Sequence, residues 1–186
     1  MKRILSVVIM ILMFCGCASK NDAYERVISL RSKLQSGQGC TFLANITADY
    51  GEKIYNFSLD CKSDSYGNIQ FLVKEPESIA GISGELSQNK GTLLFDDQSL
   101  AFELLADGCA SPISAPWILM RAMLGGYIRS CTANDDGLVI QIDDSYEEDP
   151  LILELWTDLQ LCPLRADIFW QGRRIVALEI KDFTFV

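Results

Sequence analysis

From residue 40 onward, apolar residues of this 186-residue chain recur at every second position. A period of two sends alternate side chains to opposite faces of a strand, so the chain is committed to half-buried antiparallel sheet. Cys40, Phe42, Ala44, Ile46 and Ala48 alternate with mostly polar neighbours. After a turn at Tyr50-Gly51-Glu52, Tyr55, Phe57, Leu59 and Cys61 do the same. Folding the two runs as a hairpin with the pairs Cys40–Cys61, Phe42–Leu59, Ala44–Phe57 and Ile46–Tyr55 gathers four apolar pairs on one face. Further strands are predicted at Ile69–Val73, Ile82–Leu86, Thr92–Phe95, Leu100–Leu104, Ile128–Ala133, Leu138–Asp143, Leu151–Thr157, Leu164–Trp170 and Ile175–Phe185. With turns at Tyr66-Gly67-Asn68, Asp96-Asp97, Asn134–Gly137 and Gln171-Gly172 between them, about ten short strands in adjacent hairpins make one large, curved antiparallel sheet. The expected class is mainly β (α+β): a half-barrel with one helix before it and one inside it.

The first helix is expected from Ala23 to Gln35, capped by Asn21 or Asp22 and stopped by Gly37 and Gly39. Tyr24, Val27, Leu30 and Leu34, with Ile28 beside them, form its apolar stripe, and Glu25, Arg26, Arg31 and Lys33 cover the rest. The second helix follows Pro112 and Pro116, with Ser114 as candidate cap, and ends at Gly125-Gly126. Trp117, Ile118, Leu119, Met120, Ala122, Met123 and Leu124 are interrupted only by Arg121. A helix apolar on nearly all sides needs burial on nearly all sides, and at about ten residues it is too short to span a bilayer. Its place is the concavity of the curved sheet.

The start of the chain reads as an export signal. Lys2-Arg3 precedes the apolar run Ile4–Phe14, which is too short for a membrane span and fits a signal-peptide core. Phe14-Cys15-Gly16-Cys17 resembles the lipobox of bacterial lipoproteins, in which the last cysteine receives diacylglycerol and becomes the new N-terminus. The plainer alternative is a secretory leader with incidental cysteines. On the lipobox reading, residues 1–16 are a signal peptide, 17–22 the lipid anchor and tether, and 23–186 the folded domain. Two acyl chains on Cys17 anchor stably to a membrane. The protein is then extracytoplasmic, held to a bacterial membrane by its N-terminal lipid. Ala18-Ser19 carries no Asp beside the cysteine, so no inner-membrane retention signal of diderm bacteria is visible.

Without the leader, 14 basic residues face 25 acidic ones, a net charge of −11. That balance opposes nucleic-acid binding and polybasic attachment to anionic lipid. The chain has no histidine, which removes Ser-His-Asp and Cys-His catalysis and the usual zinc sites. Asp96-Asp97, Asp135-Asp136 and Asp143-Asp144 sit at strand ends without calcium-loop spacing, and read as solvated turns. No Gly-rich phosphate loop is present. No enzymatic activity, cofactor or metal is expected. Outside the cytoplasm, Cys40, Cys61, Cys109, Cys131 and Cys162 are free to bridge. The hairpin register places Cys40 opposite Cys61. Cys109 and Cys131 bracket the second helix, so the expected bridges are Cys40–Cys61 and Cys109–Cys131.

A helix, a meander of this kind and a late apolar helix together resemble the lipoprotein carrier and receptor fold called LolA/LolB. The resemblance runs through Phe71-Leu72-Val73-Lys74-Glu75-Pro76, Gly81 and Gly84-Glu85-Leu86, then Trp117–Gly125, then Pro163-Leu164 and Gly172–Phe183. Sigma-factor regulators such as RseB and mycobacterial lipid-binding lipoproteins share the fold, and clostridial germination lipoproteins resemble it. The lipidated leader points to the LolB-like branch, whose exposed loop leucine is matched here by Ile79 and Ile82. The resemblance implies one of two functions: binding of lipid or of lipoprotein acyl chains, or a protein-interaction scaffold with an envelope partner. An acyl-chain pocket would be lined by Phe42, Phe57, Phe71, Leu86, Trp117 and Met120; the bland alternative is a closed core with the helix filling the concavity.

Overall fold

The computed structural model describes residues 18–186 except 88, 89, 96, 97, 104, 107, 108 and 147. Helix α1 spans Ala18–Ser36 and buries Ala23, Val27, Leu30 and Leu34, spaced by four, three and four residues. Those four side chains make one stripe on a 3.6-residue period. Tyr24 and Ile28, expected in that stripe, are exposed, because Ala23 occupies the inward position one residue before Tyr24. Residues 18–22, expected as a tether, already belong to the helix, and Asn21 and Asp22 lie inside it rather than at its cap.

The alternating run forms an eleven-stranded antiparallel sheet that curves as a half-barrel and does not close. In chain order its strands are β1 (Cys40–Asp49), β2 (Ile54–Ser63), β3 (Ile69–Glu75), β4 (Ser83–Ser87), β5 (Lys90–Phe95), β6 (Gln98–Glu103), β9 (Tyr127–Ala133), β10 (Leu138–Asp143), β11 (Ile152–Thr157), β12 (Pro163–Trp170) and β13 (Arg173–Phe185). A separate two-stranded ribbon pairs β7 (Leu105–Ala106) with β8 (Cys109–Ala110). The spatial order is β6-β5-β4-β3-β2-β1-β13-β12-β11-β10-β9. All neighbours except β1 and β13 are consecutive in sequence. That one long-range pair, with Ala44 opposite Ile180 and Ile46 opposite Leu178, joins the two halves of the meander. Helix α2 (Ala115–Gly125) follows a 3-10 turn at Pro112–Ser114.

Burial keeps the expected period: in β1, Cys40, Phe42, Ala44, Ile46 and Ala48 are all buried and their neighbours are not. The register of the first hairpin differs by two residues from the expected one. Cys40 faces Ser63, Phe42 faces Cys61, Ala44 faces Leu59 and Ile46 faces Phe57. The cause lies in the loop. The Asp49 carboxylate accepts the Gly51 N–H at 2.7 Å, and Tyr50 N–H bonds Lys53 C=O at 3.1 Å. This side-chain turn widens the connection to four residues, so Asp49 pairs with Ile54. A shift of two preserves the face, and the core composition survives the error.

Gly39 admits no other residue: it stands at φ +125°, and a Cβ there would lie 1.9 Å from the Ser63 carbonyl oxygen. Val186 pairs beside it with the link between α1 and β1, Val186 N–H on Gly39 C=O and Gln38 N–H on Val186 C=O.

Candidate functional site

The concave face is the candidate site, and α2 fills it. Trp117, Ile118, Leu119, Met120, Ala122 and Met123 are all buried, in one continuous core with Phe42, Phe71 and Leu86 from the sheet. Of the six expected pocket residues, five therefore meet in that core, and Phe57 packs half-buried at its margin. Phe71 reaches this position because its Cα partner is Gly84, where a Cβ would lie 2.7 Å from the ring. The three cavities described lie elsewhere: one over the rim formed by Gln38, Asp64 and Ser87, one beside Gly81 and Phe95, one over Asn45 and Pro76.

What holds α2 in place was not visible in the sequence. Arg31, counted as surface charge on α1, is half-buried and turns its guanidinium onto the carboxyl end of α2. Its Nε donates to Met123 C=O at 2.9 Å and its Nη2 to the carbonyls of Gly126 and Ala122. Gln35 Nε2 donates to Leu124 C=O at 3.2 Å. The last carbonyls of a helix lack internal partners and carry its negative end, so a cation there is favoured twice, by hydrogen bonding and by the dipole. Burial lowers the Arg31 pKa from its ordinary value. At the other end, Ser114 does not cap the helix; its hydroxyl donates to Ser111 C=O at 2.6 Å. Gly126 is a point of close approach, since a Cβ would meet Asp143 O and Ile142 Cγ2 at 2.5 Å each.

The expected bridges are not formed in this structure. Cys40 and Cys61 are buried thiols, and the shifted register sets them diagonally instead of face to face. Cys40 Sγ lies 3.8 Å from Met120 Sδ, beneath α2. Burial pushes the Cys40 thiol up to about 12 and raises Cys61 further, helped there by Asp60 and Cys40. Cys131 is a half-buried thiol on β9, where the expected bridge would have held it, and Cys162 is also a half-buried thiol; Cys109's side chain lies outside the described residues. So do residues 1–17, Cys17 among them.

Ile79 and Ile82, expected as exposed loop residues, are half-buried against the core. A 3-10 turn at Glu77–Ile79 folds the loop inward, with Val73 N–H on Ile82 C=O and Gly81 N–H on Val73 C=O. The acidic pairs divide. Asp135 and Asp136 are exposed in the β9–β10 turn, as expected. Asp143 is buried beneath Arg129, whose Nε stands 2.6 Å from Oδ1 out of line for a hydrogen bond, so charge holds the pair. Asp144 accepts the Leu151 N–H at 2.9 Å, and Asp96-Asp97 lies outside the described residues. On the outer face, buried Asp167 receives Arg165 (2.6 Å) and Arg174 (3.2 Å). Among the described residues no three potential metal ligands of the His, Cys, Asp or Glu type come together, and no helix is long and apolar enough to cross a membrane.

No family model and no curated protein matches the sequence. Solved structures do resemble it in fold. A LolA superfamily protein from Nitrosomonas europaea aligns with 91% of this chain and 94% of its own, at 11% identity and a TM-score of 0.45. The Pseudomonas aeruginosa MucA/MucB complex contributes a chain aligned over 88% of this one and 57% of its own, at 11% identity and a TM-score of 0.41. LprF from Mycobacterium bovis aligns over 89% and 94%, at 9% identity and a TM-score of 0.40. At these identities the likeness is one of fold alone.

Proposed function

We propose that this chain is a non-enzymatic envelope lipoprotein, anchored through a lipid on Cys17 outside the cytoplasm, whose half-barrel serves as a protein-interaction scaffold. The observation that carries this reading is the filled concavity. Lifting α2 would expose Trp117, Ile118, Leu119, Met120 and Met123, at roughly 1.5–3 kcal/mol each, or about 8–15 kcal/mol together. A fully buried sixteen-carbon acyl chain would offset about 12 kcal/mol at roughly 0.8 kcal/mol per methylene. The exchange yields little net affinity, and the helix already satisfies the sheet without a ligand.

Native mass spectrometry of the full chain, extracted gently from membranes, tests this. The expected spectrum carries the covalent lipid on Cys17 and no second acyl-chain species, and Cys17→Ser should abolish palmitate labelling. Stoichiometric non-covalent lipid would replace this reading with the carrier one. So would a saturable change in Trp117 fluorescence on adding a fatty-acyl detergent, recorded with Trp156 and Trp170 changed to Phe.

A further inference from the structure

The two edges of the sheet are finished differently. At β9, α1 packs close to the strand, the β9–β10 ladder slips register at Gln141/Ile142, and Arg129 is paired to Asp143. A covering element, a bulge and a charge are the devices by which proteins keep an edge from pairing with another chain. Among the described residues the β6 edge shows no bulge and no strand or helix paired with it, and its one charge, Glu103, stands at its end. Its register with β5 is unbroken from Lys90–Glu103 to Phe95–Gln98. Gln98-Ser99-Leu100-Ala101-Phe102 contains no charge and no proline. Opposed residues share a face, so Gly84, Leu93 and Leu100 form one row on the core side, with Phe95 in the next row on that side. Leu100 is 64% exposed and Phe95 57%. On the other side Leu94, 44% exposed, borders an open groove with Gly81, Ser83 and Ser99.

We propose that β6 accepts an extended segment of a partner protein as a twelfth strand, its alternate apolar side chains packing beside Leu100 and extending the core-side rows of Leu93 and Phe95, with basic residues flanking the segment. Backbone pairing to an open edge supplies affinity, and alternate side chains supply the selection. The flanking charge follows from the surroundings: the chain carries −9 overall, and Glu75 at the end of β3 and Glu77 on the loop that borders the groove are both exposed. A second copy of this chain is disfavoured by the same acids, since it would bring equal negative charge to the seam. The inference rests on the scaffold reading and names the chemistry of the partner.

The test uses the full chain in phosphatidylcholine nanodiscs and a dye-labelled peptide, Lys-Lys-Val-Thr-Val-Thr-Val-Lys-Lys, read by anisotropy. Two further peptides are N-methylated at odd or at even central positions, and a fourth has Glu in place of every Lys. Saturable binding is expected. One N-methyl isomer should lose at least tenfold in affinity and the other stay within threefold, because only one set of amides faces the edge. The Glu-flanked peptide, and the parent peptide on Leu100→Lys or Phe95→Lys, should each bind at least tenfold more weakly, while Tyr66→Lys on the β2–β3 turn changes nothing. Absent saturable binding, equal behaviour of the two N-methyl isomers, or binding to empty nanodiscs overturns the proposal. Dimerisation of the full chain abolished by Leu100→Lys would also overturn it, assigning the edge to a second copy. A partner cross-linked through another surface would keep the scaffold reading and sink this one; bound lipid in the concavity would sink both.

Discussion

At the β9 end of the sheet, α1 lies against the strands and clamps α2 through Arg31, and almost every core-side residue of β10 and β11 is buried. At the β6 end the same core-side rows run out into solvent at Phe95 and Leu100. Both ends are built on one alternation of apolar and polar residues. The difference is whether a helix is available to cover the apolar rows. Two helices of 19 and 11 residues cannot cover eleven strands. Stability is thus concentrated in one part of the molecule, and apolar surface is left available in another.

The largest effect that tests this contrast belongs to α2. Trp117 is buried with a cation–π contact from Arg121 (5.3 Å), and truncation leaves a cavity that the flanking helix and sheet cannot close. Trp117→Ala is expected to lower unfolding stability by about 3–5 kcal/mol, measured by urea denaturation. A loss under 1 kcal/mol would mean that α2 moves freely off the sheet, and the filled concavity would lose its meaning.

Next comes the clamp. Arg31→Met keeps the length and apolar stem of the side chain but removes every donor to the Met123, Ala122 and Gly126 carbonyls. Hydrogen bonds from a charged donor contribute roughly 1.5–3 kcal/mol, so a loss of about 2 kcal/mol is expected. Hydrogen exchange should locate it: amides of α2 should open first, while those of β3 to β5 stay as protected as before.

How far these features could be read from the sequence follows from how local their causes are. Strand positions were legible because burial on one face writes a period of two into every strand, and β10 at Leu138–Asp143 matches the expected bounds at both ends. The apolar composition of α2 announced its burial. The hairpin register was missed because it depends on the Asp49 carboxylate turning back on Gly51 N–H, a geometry that Tyr50-Gly51-Glu52 does not advertise. The same shift moves Cys61 from opposite Cys40 to opposite Phe42. Arg31 was hidden because a cation on the polar side of an amphipathic helix looks the same whether water or a helix end receives it. The β1–β13 pair joins residues more than 120 positions apart and leaves no local mark.

Smaller again, taken per thiol and per pH unit, is the response of the buried thiols. Cys40 is held at about 12 and Cys61 higher, both by burial, against about 8.5 for a thiol in an unfolded chain. In both cases the folded state keeps the proton longer than the unfolded state. Their contribution is therefore fully present below about pH 8.5 and is lost as pH rises toward the folded values, at about 1.4 kcal/mol per pH unit for each thiol. Between pH 9 and 10.5 the wild-type chain should lose stability more steeply than Cys40→Ala/Cys61→Ala, each compared with its own value at pH 7. Equal slopes would mean that the two thiols are not confined to the core beneath α2.

The smallest effect belongs to the uncovered end, and it sharpens the comparison most directly. Leu100 contributes to the core-side row with Leu93 and Gly84, yet 64% of it is in water. Truncating a side chain that is largely solvated in both folded and unfolded states removes little burial and opens no cavity. Leu100→Ala should therefore change stability by no more than about 0.5 kcal/mol, the range of ordinary surface substitutions. Leu119→Ala, a change of the same chemistry on the buried face of α2, should cost about 2–5 kcal/mol. The pair holds the substitution constant and sets a covered site against an uncovered one. Should Leu100→Ala lose more than 1.5 kcal/mol in the isolated chain, that row is covered after all, and β6 is part of the core instead of an open edge.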